Sequence, residues 1–64
     1  MYQIKQLIEF RTGATRWIIE GPHGYFAGYD FMGSINWVKF PVDASRMDRK
    51  EAQTILNDLN EMEG

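Results

Sequence analysis

Apolar and polar side chains alternate along residues 2–10, where Tyr2, Ile4, Ile8 and Phe10 interleave with Gln3, Lys5, Leu7 and Glu9, broken only at Gln6 and Leu7. A period of two is the pattern of a half-buried strand. Residues 11–14 read as a turn, and β-type composition resumes over residues 16–20. If Thr12-Gly13 forms a two-residue loop, Glu9 faces Arg16, Ile8 faces Trp17, Leu7 faces Ile18 and Lys5 faces Glu20. Two opposite-charge pairs then share one face.

Gly21-Pro22-His23-Gly24 is the clearest turn in the chain, with proline preset for its first central position. Pairing about it sets Ile19 beside Phe26 and Trp17 beside Gly28, where the missing side chain makes room for the indole. On the other face it sets Glu20 beside Tyr25, Ile18 beside Ala27 and Arg16 beside Tyr29. The hairpin spanning residues 16–29 organises the rest. Residues 31–34 read as a third turn and residues 35–40 as a fourth strand, closed by Pro41, which cannot donate to a ladder. Two registers fit this strand. One puts Trp37 over Gly28; the other, which we favour, buries Val38 and Phe40 and leaves Trp37 with Tyr25 and Tyr29, since a one-residue slip reverses every side chain.

Asp48 followed by Glu51 forms a capping box in its Asp form, with Met47 placed to staple against Ala52. Ala52, Ile55, Leu56, Leu59 and Met62 then make one apolar stripe on a helix over residues 49–62. The expected fold is α+β: an antiparallel β-meander of three to four strands with one C-terminal helix on the face bearing Ile4, Ile8, Phe10, Trp17, Ile19 and Phe26. A helix of this length is marginal alone and must dock. One helix covers one face. The other, carrying Lys5, Leu7, Glu9, Arg16, Ile18, Glu20, Tyr25, Ala27 and Tyr29, is expected to stay open.

Composition narrows the functional classes. At 64 residues the chain reads as a single domain, residues 1–64, and a domain this small removes only about 60% of its unfolded surface from water. Without cysteine it has neither disulfides nor a thiolate zinc site, so its four Phe, three Tyr and two Trp must supply the packing. No signal peptide or membrane span is evident, which reads as soluble and cytoplasmic with no membrane partner. Seven basic against nine acidic residues give a net charge of −2, which disfavours direct nucleic-acid binding.

No nucleophile motif, phosphate loop or metal-ligand spacing occurs, and His23 stands alone in its turn. The chain is expected to be no enzyme and to need no cofactor. Arg46, Arg49 and Lys50 at the helix start read as a solvated basic spot or as a contact for a phosphate or an acidic partner. Asp58, Glu61 and Glu63, in the purely acidic last seven residues, read as a solubilising tail or a weak mimic of nucleic-acid phosphates. The candidate partner-binding residues are Tyr25, Tyr29 and Trp37, with Arg16 and Ile18 beside them, because tyrosine and tryptophan on an uncovered face are frequent binding anchors.

The run from Trp17 through Gly21-Pro22-His23-Gly24 to Gly28, then Trp37-Val38, Asp43-Ala44-Ser45-Arg46 and Lys50-Glu51-Ala52 opening a short helix, resembles small phage and prophage accessory proteins. That class includes anti-CRISPR and other counter-defence inhibitors. The resemblance implies a non-enzymatic protein that inhibits a host protein or ribonucleoprotein complex by covering its surface. Two alternatives compete with it: a small nucleic-acid-binding regulator using Arg16, Arg46, Arg49 and Lys50, and a homodimeric structural module.

Overall fold

A computed structural model describes residues 2–63, without the Glu63 side chain. The Glu63 side chain and Gly64, both part of the expected acidic tail, therefore lie outside the described residues, as does Met1. Four antiparallel strands, β1 (Gln3–Ile8), β2 (Thr15–Gly21), β3 (Gly24–Tyr29) and β4 (Ile35–Val38), form one sheet in sequence order. A 3-10 turn at Pro41–Asp43 follows, then helix α1 (Arg49–Glu63), which packs over β2 and β1. The α+β meander expected from the pattern is present, with four strands.

The helix starts where its sequence directs. The Glu51 N–H, one of the orphan donors of the first turn, donates to Asp48 Oδ1 at 2.7 Å, and the Ala52 N–H makes the first intrahelical bond, to the Asp48 carbonyl at 3.0 Å. Met47 and Ala52 are both buried in the core, as a staple requires. With Ile19, Phe26 and Leu59 they form the core cluster, against which Tyr2, Ile4, Trp17, Ile35, Trp37, Ile55 and Leu56 pack. Met62, at the end of the stripe, is exposed.

At the β2–β3 hairpin Glu20 faces Tyr25 and Gly21 faces Gly24, the register set by the Pro22-His23 turn. Gly24 has φ +126°, and a Cβ there would fall 2.4 Å from the Val38 carbonyl oxygen of β4. Only glycine permits both the torsion and this approach.

Three expectations are corrected. First, β1 pairs with β2 two residues out of the expected register: Ile4 faces Ile19, Lys5 faces Ile18, Leu7 faces Arg16 and Ile8 faces Thr15. The loop is longer than Thr12-Gly13. Glu9 and Ala14 close it through a 2.9 Å bond, the Gly13 N–H returns to the Glu9 carbonyl at 2.8 Å, and Thr12 Oγ1 accepts from the Ala14 N–H. A slip of two preserves the faces. It ends β1 at Ile8, leaving Phe10 in the turn and fully exposed and Ile8 65% exposed, so neither joins the core.

Second, β4 takes the register that was not favoured in its facing: Phe26 pairs with Trp37 and Tyr25 with Val38, so Trp37 lies on the helix side and Phe40 is exposed. Between Phe26 and Tyr29 the ladder shifts, and Tyr29 pairs with Ile35. Gly28, at φ +96°, supplies the irregularity. The shift turns Tyr29 toward the side of Phe26, which its ring meets edge-on at 5.4 Å.

Third, Trp17 does not lie over Gly28. Past the hairpin, β2 and β3 part, and residues 45–47 fill the gap: Trp17 and Met47 exchange backbone bonds of 2.9 and 3.1 Å, and the Ser45 N–H donates to the Phe26 carbonyl at 3.0 Å. Ser45 takes the space beside Gly28, its Oγ lying 3.6 Å from where a Cβ would stand. The connection from β4 to α1 thus leaves the sheet at Val38, borders residues 7–11 through Pro41, Val42 and Arg46, and enters between β2 and β3 before α1 begins on the opposite side. Ile18, opposite Lys5 on the face that the helix leaves free, is only 3% exposed.

Candidate interaction surface

The five side chains proposed as partner contacts do not form one surface. Arg16, Ile18 and Tyr25 lie on the face opposite the helix, whereas Trp37 and Tyr29 lie on the helix side. Ile18 is buried and offers no contact area. Arg16 is occupied, with Nε 3.4 Å from Glu9 Oε1. Trp37 is stacked on Tyr2 at 5.6 Å between ring centroids and 12° between planes, with His23 tilted against it at 6.2 Å. Tyr29, at 47% exposure, keeps part of its ring in water at the edge of the core.

On the free face Lys5 Nζ stands 3.1 Å from Glu20 Oε1. The ion pair joins diagonal neighbours, because Glu20 faces Gln3; Glu9 and Arg16 are related in the same way. The Lys5 ammonium first, and the Tyr25 hydroxyl second, hold the Glu20 carboxyl below its ordinary value. The same carboxylate holds the Tyr25 phenol above its own. Lys5 is exposed and Glu20 and Tyr25 are half-buried, and their mutual satisfaction leaves little free valence for a partner.

The opposite end of the sheet differs. There the β1–β2 and β3–β4 loops both lie, since a meander returns both to one end, with residues 45–47 set between β2 and β3. Phe31 and Met32 stand almost fully exposed on the β3–β4 turn. Their presentation is built by Asp30: its Oδ1 accepts the N–H groups of Met32 and Ser34, each at 2.9 Å, its own N–H donates to the Ser34 carbonyl, and its carbonyl accepts from Gly33. Such an aspartate-centred turn leaves the two apolar side chains no inward direction. Phe10 projects from the β1–β2 loop at the same end.

Beside Phe10 lies a hollow of about 430 Å³, lined by residues 7–11 with Pro41, Val42 and Arg46. Its apolar walls are Leu7, Ile8, Phe10, Pro41 and Val42. Arg46 is fixed over it by a 3.2 Å bond from Nη2 to the Val42 carbonyl. Arg11 and Arg46 have no carboxylate within salt-bridge distance among the described residues, whereas Glu9 is engaged by Arg16 and by the Thr12 hydroxyl at 3.3 Å. Among the described residues no three metal-ligating side chains converge, and no helix is long and apolar enough to cross a membrane. The chemistry on offer at this hollow is apolar contact flanked by two guanidinium groups and by the Glu9 carboxylate, which Arg16 and Thr12 engage.

The chain matches no protein-family model, no curated protein and no solved structure. Sequence reasoning missed Phe10, Pro41, Val42 and Arg11 as surface residues. Phe10 continues the period-two pattern, which assigns it to the core, and Val42 carries no local signal. Asp30 did carry one, since aspartate followed by Gly33-Ser34 is a turn-forming set.

Proposed function

We propose that this chain is a non-enzymatic interaction protein that acts by covering part of a larger partner's surface, and that the contact is made by the loop end of the sheet. The observation that carries this reading is the group of exposed apolar side chains there, Phe10, Phe31 and Met32, which no other part of the described chain covers. Large apolar side chains cost solubility unless something covers them, and aromatic ones dominate the energetics of interfaces. Tyr25, Tyr29 and Trp37 serve chiefly to build the sheet, with the exposed part of Tyr29 the one of the three placed to extend the contact.

The finer reading is an anti-CRISPR-like inhibitor of a host-defence or nucleic-acid-processing complex. It is supported by the resemblance of the hairpin and helix start to small phage proteins. The test is the plating of a targeted phage on an immune host that expresses the chain. Restored plaque formation, abolished by the Phe10→Ser/Phe31→Ser double variant with an unchanged circular dichroism spectrum, is the expected result. Plaque counts that stay at the immune level overturn the inhibitor reading, and a fully active double variant overturns the site.

A further inference from the structure

We infer that the outer edge of β1 and the hollow at its end bind an extended segment of a partner protein in which apolar and acidic residues alternate. This rests on the reading above and names the chemistry of the partner. Three features of the molecule meet at this edge.

The first is backbone. β1 is an outermost strand. The bond from the Glu9 N–H to the Ala14 carbonyl continues the β1–β2 register, so the odd-numbered residues Gln3, Lys5, Leu7 and Glu9 spend their backbone groups on β2. Ile4, Gln6 and Ile8 therefore direct N–H and C=O groups outward. This edge contains no proline and no bulge to discourage an added strand. The second is the hollow, whose walls Ile8, Phe10 and Val42 are more exposed than apolar side chains of their size usually are. An added strand would send alternate side chains to that side. The third is charge: Arg11 and Arg46 flank the hollow without carboxylate partners among the described residues, although the chain as a whole is acidic. Guanidinium groups recognise carboxylates with two parallel bonds, so acidic residues of the segment have a defined destination.

A second copy of this chain fits less well. Its extended strands carry a single carboxylate, Glu20, already paired with Lys5, and Glu9 beside them is paired with Arg16. Asp58 and Glu61 are locked in α1. The occupant is a different chain.

The experiment is fluorescence anisotropy of a labelled peptide of alternating valine and glutamate, about six residues long to match a typical strand. The expected result is saturable binding that weakens with added salt, that falls about three- to fivefold on Arg11→Gln, and that a valine–lysine peptide does not reproduce. Methylating alternate amide nitrogens of the peptide should abolish binding with the protein left unaltered, and Gln6→Pro should do the same from the protein's side. Absence of saturation, equal binding of the lysine peptide, or indifference to Arg11→Gln overturns the proposal. So does a dimer in sedimentation that the peptide cannot dissociate, which would assign the edge to a second copy, or binding of decanoate but not of the peptide, which would assign the hollow to a lipid. Plaque assays and anisotropy report separately: a silent peptide with active inhibition removes this inference alone, and a bound peptide without inhibition removes only the counter-defence reading.

Discussion

At the hairpin end of the sheet, Tyr2, Trp37 and His23 lie against one another above Gly21 and beside Gly24, whereas at the loop end Phe10, Phe31 and Met32 reach into water with no ring or chain above them. Both ends are made from tight turns and large side chains. They differ in how closely backbone approaches backbone. At the hairpin end glycines let β4 and the Tyr2 ring come within contact distance, so the aromatic residues find partners inside the molecule. At the loop end the turns are closed by their own polar groups, Thr12 with Glu9 and Asp30 with Met32 and Ser34, and need nothing from the rest of the fold. A turn that satisfies itself can display apolar side chains without losing its shape.

The comparison can be broken most forcefully at Gly24. Gly24→Ala forces a Cβ into the Val38 carbonyl at a positive φ and should destabilise the domain by about 3 kcal/mol, seen as a lower urea midpoint or outright failure to fold. A midpoint unchanged from the parent would mean that the close approach of β3 and β4 is not structural. At the other end Asp30→Ala removes one acceptor shared by two N–H groups and should cost about 1 kcal/mol, read as faster amide exchange at Met32 and Ser34. Protection that survives the substitution would show the turn to be held from elsewhere. Replacing Phe10 and Phe31 with serine should change stability by less than about 0.5 kcal/mol, because neither side chain is buried. A substantial loss of melting temperature would show that they pack after all.

The smallest effect concerns pH. Glu20 is held below its ordinary 4.5 by Lys5 and Tyr25, so its contribution is complete above that value and is lost as pH falls through the lowered folded value. Tyr25 is held above its ordinary 10.0 by Glu20, so its contribution is complete below that value and is lost as pH rises through the raised one. In melting curves, Lys5→Gln should flatten the acid limb and Tyr25→Phe the alkaline limb. Limbs that are unaltered would mean that solvent screens the cluster completely.

What could be read from the chain beforehand follows the range of the signal. The Pro22-His23 turn, the Asp48 cap and the stripe from Ala52 to Leu59 are local, and each formed as expected, as did the α+β meander they imply. The length of the loop after Glu9 depended on whether the Thr12 hydroxyl would bond within the turn, which alternating hydrophobicity does not encode. Two registers that differ by one residue put Trp37 on opposite faces, and the stacking of Tyr2 that goes with the observed one joins opposite edges of the sheet. Of the candidate contacts, Tyr25 and Arg16 lie on the face expected, and so does Ile18. Its burial, at 3% exposure, was not legible, because alternation assigns it to a face and not to a cover.

The segment that precedes the helix sets an order of events during synthesis. Residues 45–47 hydrogen-bond to Trp17 and Phe26, filling the space where β2 and β3 separate. Until they have left the ribosome, the amide and carbonyl of Trp17 and the carbonyl of Phe26 lack their native partners. The native β2–β3 pairing is confined to Glu20–Tyr25 and Gly21–Gly24 at the tip, and the sheet becomes whole when the linker to the helix arrives to complete it.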